Sequence, residues 1–156
     1  MVYRPRVCLD SSVAVKWFRI EENRKGAFEL RELAEAKRIK LVFSAIVLTE
    51  SARGLKKAGY SDDKIYEMAD MLDSFISLCG VDVAPVDRLI IKLAQRLVIQ
   101  HNLFSADAIH AATAILSDSD YFVSGDEHHF KESLKSHFEN KNVRILRLSE
   151  VAGISL

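Results

Sequence analysis

Short apolar runs alternate along this chain with longer stretches of helical period. Strand candidates are Arg6 to Leu9, Lys40 to Phe43, Val81 to Ala84, Tyr121 to Val123 and Val143 to Leu146. Each is bounded by turn residues or by the start of a helix. Ser11 or Ser12 can cap a helix through Phe18, and a second helix fits Arg24 to Arg38. Ser44 can cap a helix to about Lys57, ended by Gly59. Ser61-Asp62-Asp63 then opens another to about Leu78, with acids in its first turn. Val86 to Gln100 reads as a helix burying Leu89, Ile90, Leu93 and Leu97. Ser105 is placed to cap the next helix, whose Ala108, Ala111, Ala112, Ala114 and Ile115 permit close packing. Strands alternating with helices predict an α/β sandwich on a parallel sheet with right-handed crossovers. The helical pair between Ser44 and Leu78 is an insertion larger than a single crossover.

A chain of 156 residues suits one domain, spanning 1–156, and is short for two. With 49% hydrophobic residues it can build a core without metal or disulfide staples. Two Pro and six Gly argue against disorder or a long linker. No segment approaches the roughly 18 apolar residues of a membrane span. The N-terminal Met1-Val2-Tyr3-Arg4-Pro5-Arg6 leads into a strand rather than a signal-peptide apolar region. Cys8 and Cys79 lie singly in apolar surroundings and read as core thiols in a reducing compartment. The expected location is cytoplasmic. Lys plus Arg equals Asp plus Glu at 22 each, so the chain does not advertise itself as a general nucleic-acid binder.

Four carboxylates change that picture. Asp10 ends the run Val7-Cys8-Leu9, and Asp126 follows Tyr121-Phe122-Val123-Ser124-Gly125. Glu50 and Asp107 lie inside helical stretches. Each has an ordinary alternative. Asp10 could be an N-cap, Glu50 a solvated acid, Asp107 a helix-dipole partner near the second helical position, and Asp126 a turn former. Together they occupy four strand-proximal places, and acids next to strand ends converge at the carboxyl edge of a parallel sheet. Carboxylates held together repel, and a hard divalent cation with oxygen ligands, Mg²⁺ or Mn²⁺, is the natural countercharge.

The segments Val7-Cys8-Leu9-Asp10-Ser11-Ser12, Leu48-Thr49-Glu50, Ser105-Ala106-Asp107-Ala108-Ile109-His110-Ala111-Ala112 and Val123-Ser124-Gly125-Asp126 resemble the four blocks of the PIN domain. Their order and spacing are similar to those of the small, single-domain ribonuclease toxins of VapBC-type toxin–antitoxin pairs, and the resemblance covers nearly the whole chain. It implies a three-layer α/β/α sandwich with a central parallel sheet and metal-dependent endoribonuclease activity. It also implies a grooved surface that dimerises or accepts an inhibitory antitoxin, so a homodimer and a cognate antitoxin are expected. The acidic cluster would be Asp10, Glu50, Asp107 and Asp126, with Ser11 or Ser12 and Ser124 as hydroxyl support. The last block departs mildly, because Glu127, His128 and His129 crowd its edge.

The chemistry follows from the acids themselves. A divalent ion lowers the pKa of bound water and creates a nucleophile, and a second ion about 4 Å away would stabilise the leaving oxygen of an in-line displacement. Asp10 is the expected central ligand, with Asp107 and Asp126 completing coordination. Glu50 either ligates through water or orients the attacking water as general base. RNA cleaved in this way would carry 5′-phosphate and 3′-hydroxyl ends, as the resemblance implies.

Histidines and basic residues add less. His110 follows Asp107 by one helical turn and could touch the site. His128 and His129 follow Asp126 without zinc-ligand spacing, so all three read as packing, capping or surface residues. Arg53 and Lys57 share a helix face with Glu50, and Lys16, Arg19, Arg24 and Lys25 follow Asp10. They could hold phosphates or could equally be a solvated face. Trp17, Phe18, Phe75 and Ile76 read mainly as core.

Other classes fit poorly. A phosphatase of the haloacid-dehalogenase type needs a second Asp two residues after the first, where Ser12 stands. A receiver domain needs an acidic pair after the first strand and an Asp on a central strand, and neither is present. The alternative from a different class is a PIN-like scaffold that binds RNA or protein without cutting; retention of all four acids argues against it.

Overall fold

The computed structural model describes residues 2–19 and 23–156. Met1, the first residue of the N-terminal stretch considered above, lies outside them. The strands are β1 (Arg6–Leu9), β2 (Lys40–Ser44), β3 (Asp82–Ala84), β4 (Tyr121–Ser124) and β5 (Arg144–Arg147), at or beside their expected places. Among the described residues they form one five-stranded sheet in the order β3-β2-β1-β4-β5, with every neighbouring pair parallel. β1 is central: Leu9 stands level with Phe43 on one side and Val123 on the other.

Both faces of the sheet are covered. Side chains alternate along β1, so Val7 and Leu9 enter one core and Cys8 the other. The first core is closed by α1 (Ser11–Ala14) with its 3₁₀ continuation Val15–Trp17, α2 (Lys25–Glu35), α3 (Ile46–Lys57) and α4 (Asp62–Cys79), through residues such as Val13, Trp17, Leu30, Val47 and Leu72. Trp17 is held by its indole N–H, which donates to the Ala27 carbonyl at 2.8 Å, and by edge contact with Phe75. The second core is closed by α5 (Arg88–His101), α6 (Ser105–Leu116) and α7 (Glu132–Asn140), through Ile90, Leu97, Ala111, Leu134 and Phe138. This is a three-layer α/β/α sandwich.

Several local readings change. Asp87, not Val86, starts α5 by accepting from the Ile90 amide. The helix then buries Ile90, Ala94 and Leu97, and Leu89 is left 71% exposed. Ser44 ends β2, buried, and Ser105 is already helical, so neither caps with its side chain. Asp107 is therefore the third helical residue rather than the second. Ser61 does cap α4, and Gly80 ends it in the left-handed region at φ 63°. α7 was not evident from the sequence, because Leu134 and Phe138 alone mark its buried side. Cys8 is buried, and burial raises its thiol pKa; Cys79 is only partly buried.

One glycine is fixed by a close approach. A Cβ on Gly26 would lie 2.1 Å from the Leu148 carbonyl oxygen, so only glycine lets α2 meet the 3₁₀ turn Leu148–Gly153.

Candidate active site

From β1 the chain runs outward through β2 to β3, then returns on the other side of β1 as β4 and β5. The β1/β4 boundary is therefore a topological switch point, with a crevice outside the carboxyl ends of the two strands. Asp10 follows β1 directly and is 2% exposed. Its Oδ1 accepts from the Ser12 amide at 3.1 Å and from the Ser12 hydroxyl, and its Oδ2 accepts from the hydroxyl of Ser124, the last residue of β4. Asp10 is thus both the N-cap of α1 and a buried acid held by the hydroxyls of Ser12 on α1 and Ser124 at the end of β4. Three donors leave roughly one of a carboxylate's four lone-pair directions open, on Oδ2.

His129 stands beside that oxygen. Its Nε2 lies 3.4 Å from Asp10 Oδ2 and 3.6 Å from Asp107 Oδ1, and its side chain is fully buried. Burial disfavours the imidazolium, but contact with Asp107 and the charges of Asp10, Asp107 and Asp126 outweigh it and raise the His129 pKa. Burial likewise pushes the Asp107 carboxyl up, and the contact and charge of His129, with His110 and His128 behind it, bring it below its ordinary value. At these separations charge, rather than hydrogen bonding, couples the groups. The ring stands edge-on to Phe122, with centroids 5.0 Å apart.

Asp126 caps the 3₁₀ turn Glu127–Phe130 that carries His129, accepting from the His128 amide at 2.9 Å. Phe130 ends that turn beneath the Arg147 guanidinium, which forks onto Glu127 at 3.1 and 3.2 Å. Glu50 joins from α3 through His110, whose buried Nε2 contacts Glu50 Oε1.

The expected residues fall into distinct places. Asp10 and Asp107 meet directly at His129, Asp126 bears on His129 electrostatically, and Glu50 is tied in by His110. Ser12 and Ser124 hold Asp10, while Ser11 opens α1. Lys16 lines a cleft of about 670 Å³ beside Ser124 and Gly125, with Lys25 and Arg147 on its walls. Arg53 and Lys57 stand exposed on α3 beyond Glu50. His110 and His129 are both buried, which sets aside the surface option of the reading from sequence, and both contact the acids, as was considered for His110. Their spacing from Asp107 and Asp126 was the available signal. Arg147, on the far strand β5, gave none.

A divalent cation suits this donor set. The carboxylates are hard oxygen ligands, and the buried His129 nitrogens lack hydrogen-bond partners. Among the described residues no three His, Cys, Asp or Glu side chains form a ready-made metal cage. Glu50 is drawn toward His110 and Asp126 toward the turn it caps.

The family model described as PIN domain matches residues 7–133. FitAcB from Neisseria gonorrhoeae is similar in structure, with a TM-score of 0.65 and 19% identity, over 92% of this chain and 98% of that one. VapBC2 from Rickettsia felis, solved bound to a fragment of promoter DNA, gives 0.59 and 20%, over 91% and 98%. VapBC-5, a member of the VapBC family of toxin–antitoxin systems from Mycobacterium tuberculosis, gives 0.53 and 19%, over 91% and 98%. No curated protein matches.

Proposed function

The chain belongs to the PIN domain family, and on that premise we propose that it is a metal-dependent endoribonuclease, the toxin of a toxin–antitoxin pair. The observation that carries this reading is the approach of Asp10 and Asp107 to one nitrogen of His129 at the β1/β4 switch point, where Ser12 and Ser124 fix Asp10.

Asp10 and Asp107 would hold the cation, Mg²⁺ or Mn²⁺, with Asp126 and Glu50 completing its surroundings directly or through water. When bound, the ion would supply a coordinated water of lowered pKa and positive charge for the in-line displacement. Glu50 orients the attacking water and takes its proton at a carboxylate oxygen, steadied by His110. Lys16, Arg53 and Lys57 hold RNA phosphates on either side of the cluster. The residues 1–156 act as one domain.

Partners follow from the same reading. The similarity to VapBC-5, a member of a family of toxin–antitoxin systems, supports a cognate antitoxin. Exposed Leu89, Ile91, Ile99 and Phe104 support a homodimer, for which sedimentation showing only a 17.6 kDa monomer at micromolar concentration is the contrary result. Among the described residues no helix is long and apolar enough to cross a membrane, which agrees with a cytoplasmic protein.

The test is incubation of antitoxin-free protein with structured RNAs and matched single-stranded DNA, with Mg²⁺, Mn²⁺ or EDTA. RNA cleavage that needs the metal and leaves 5′-phosphates supports the proposal. Folded protein that binds RNA and never cuts it would favour a non-catalytic scaffold.

A further inference from the structure

Asp10, Ser124 and Arg147 stand in one row across the carboxyl ends of three neighbouring strands. Asp10 follows Leu9, which is level with Val123, and Ser124 is level with Arg147 at the end of β5. Adjacent strands lie about 4.8 Å apart, so two strand steps lead from the acid to Arg147. The four-acid scheme uses the first two residues and leaves the third without a task.

Lys16 and Arg147 both line the cleft of about 670 Å³, a volume usual for ligand sites. It is continuous with the acids. The Gly125 amide donates to the Ser12 hydroxyl at 2.9 Å, and a Cβ on Gly125 would lie 3.5 Å from Lys16 Cε. Lys25 adds a third cation, and Glu29 and Glu127 are the acids of the lining. Each acid stands against a cation: Glu29 Oε1 is 3.7 Å from Lys25 Nζ, and Glu127 takes the Arg147 fork at 3.1 and 3.2 Å.

The Arg147 guanidinium is supported from below and only partly used. Phe130, packed against the second core, holds it 4.1 Å from its ring centroid. Glu127 accepts from two of its five N–H donors, leaving three for another acceptor. The pair is exposed, with 45% of the Arg147 side chain and 76% of the Glu127 side chain accessible. A pair so exposed is weak and open to exchange, and a phosphate offers the same forked oxygens.

We propose that Arg147 binds an RNA phosphate next to the one being cut, and that Glu127 occupies its guanidinium until RNA arrives. The inference rests on the ribonuclease reading and adds to it a backbone contact and an internal competitor. Glu127 presents the charge that the phosphate brings, so removing that charge strengthens RNA binding. An ion pair kept for stability alone gives no such gain.

The test is binding of a short, end-labelled single-stranded RNA to the full chain in EDTA across a salt series, then cleavage of the same RNA with Mn²⁺. Glu127→Gln is expected to tighten binding about two- to fivefold, the strength of an exposed pair. Arg147→Gln weakens it by about tenfold at low salt and lowers the salt slope by about 1. In cleavage that loss appears in KM rather than kcat. Arg147→Lys restores the slope and only part of the affinity, because it lacks the fork. In the double variant the gain from Glu127→Gln is gone. A gain that persists there reports net charge and overturns the proposal. So does an unchanged slope in Arg147→Gln while wild type cuts RNA, and the acid cluster then stands without this contact. Should Arg147→Gln fail to fold, the absence of any gain in folded Glu127→Gln overturns the proposal by itself. Wild type that neither binds nor cuts the RNA overturns the proposal and the ribonuclease reading together.

Discussion

His110 on α6 reaches across to Glu50 on α3, its Nε2 against Glu50 Oε1. The imidazole is buried and the carboxylate half-buried, so one side chain decides where the other points. His110→Ala should lower cleavage by about 10–100-fold, the range for losing a partner that orients a functional group. His110→Gln should recover part of that loss by keeping a donor. Single-turnover rates for the two variants check this, with urea unfolding to separate fold from function.

Asp10 combines a cap with a chemical role, so Asp10→Asn separates them. Asn caps helices about as well as Asp, and the variant should unfold within about 1 kcal/mol of wild type. Its metal-induced thermal stabilisation and its cleavage should both vanish. Denaturant melts with and without Mn²⁺ supply the comparison.

Gly26 and Gly54 should respond differently to alanine although both are helical. Gly26→Ala drives a methyl into the Leu148 carbonyl and should cost about 1–3 kcal/mol, despite a gain of about 1 kcal/mol in helix propensity. Gly54→Ala meets only the Val15 side chain at 3.3 Å, which can shift, so it should stay within about 1 kcal/mol of wild type. Thermal melts of the pair decide the matter.

Asp82 at the sheet edge binds Arg6 at 2.9 Å and Lys40 at 3.1 Å. Partial burial raises its pKa, but those two cations outweigh burial and hold it below 3.8. Its folded pKa is depressed, so its contribution is present above the unfolded value and is lost as pH falls through the folded one. Asp82→Asn should flatten that part of the acid limb below about pH 4, by a modest amount because the pair is partly exposed. Stability curves from pH 2 to 6 check it.

Much of this was legible in the chain. Buried strands such as Val7-Cys8-Leu9 and Tyr121-Phe122-Val123 are short and apolar throughout, and Asp10 and Ser124 stand at their ends. Parallel pairing then brings those ends side by side, so Asp10 and Ser124 were predictable as neighbours. His110 could be placed near the site from its spacing, but the burial of His110 and His129 could not be read, because a buried polar side chain and a solvated one look alike in sequence until a tertiary partner is known. His129 and Asp107 are close only because the turn after β4 folds toward the start of α6. Leu89 shows the reverse error: an apolar residue next to the buried stripe, turned outward by a helix that starts at Arg88.

The most direct test of the central claim is RNA cleavage by wild type and Asp107→Asn, purified in parallel and assayed on one end-labelled RNA with Mn²⁺ and with EDTA. Cutting by wild type that needs Mn²⁺ and is lost in folded Asp107→Asn is the predicted result. Equal cutting by both proteins would contradict it.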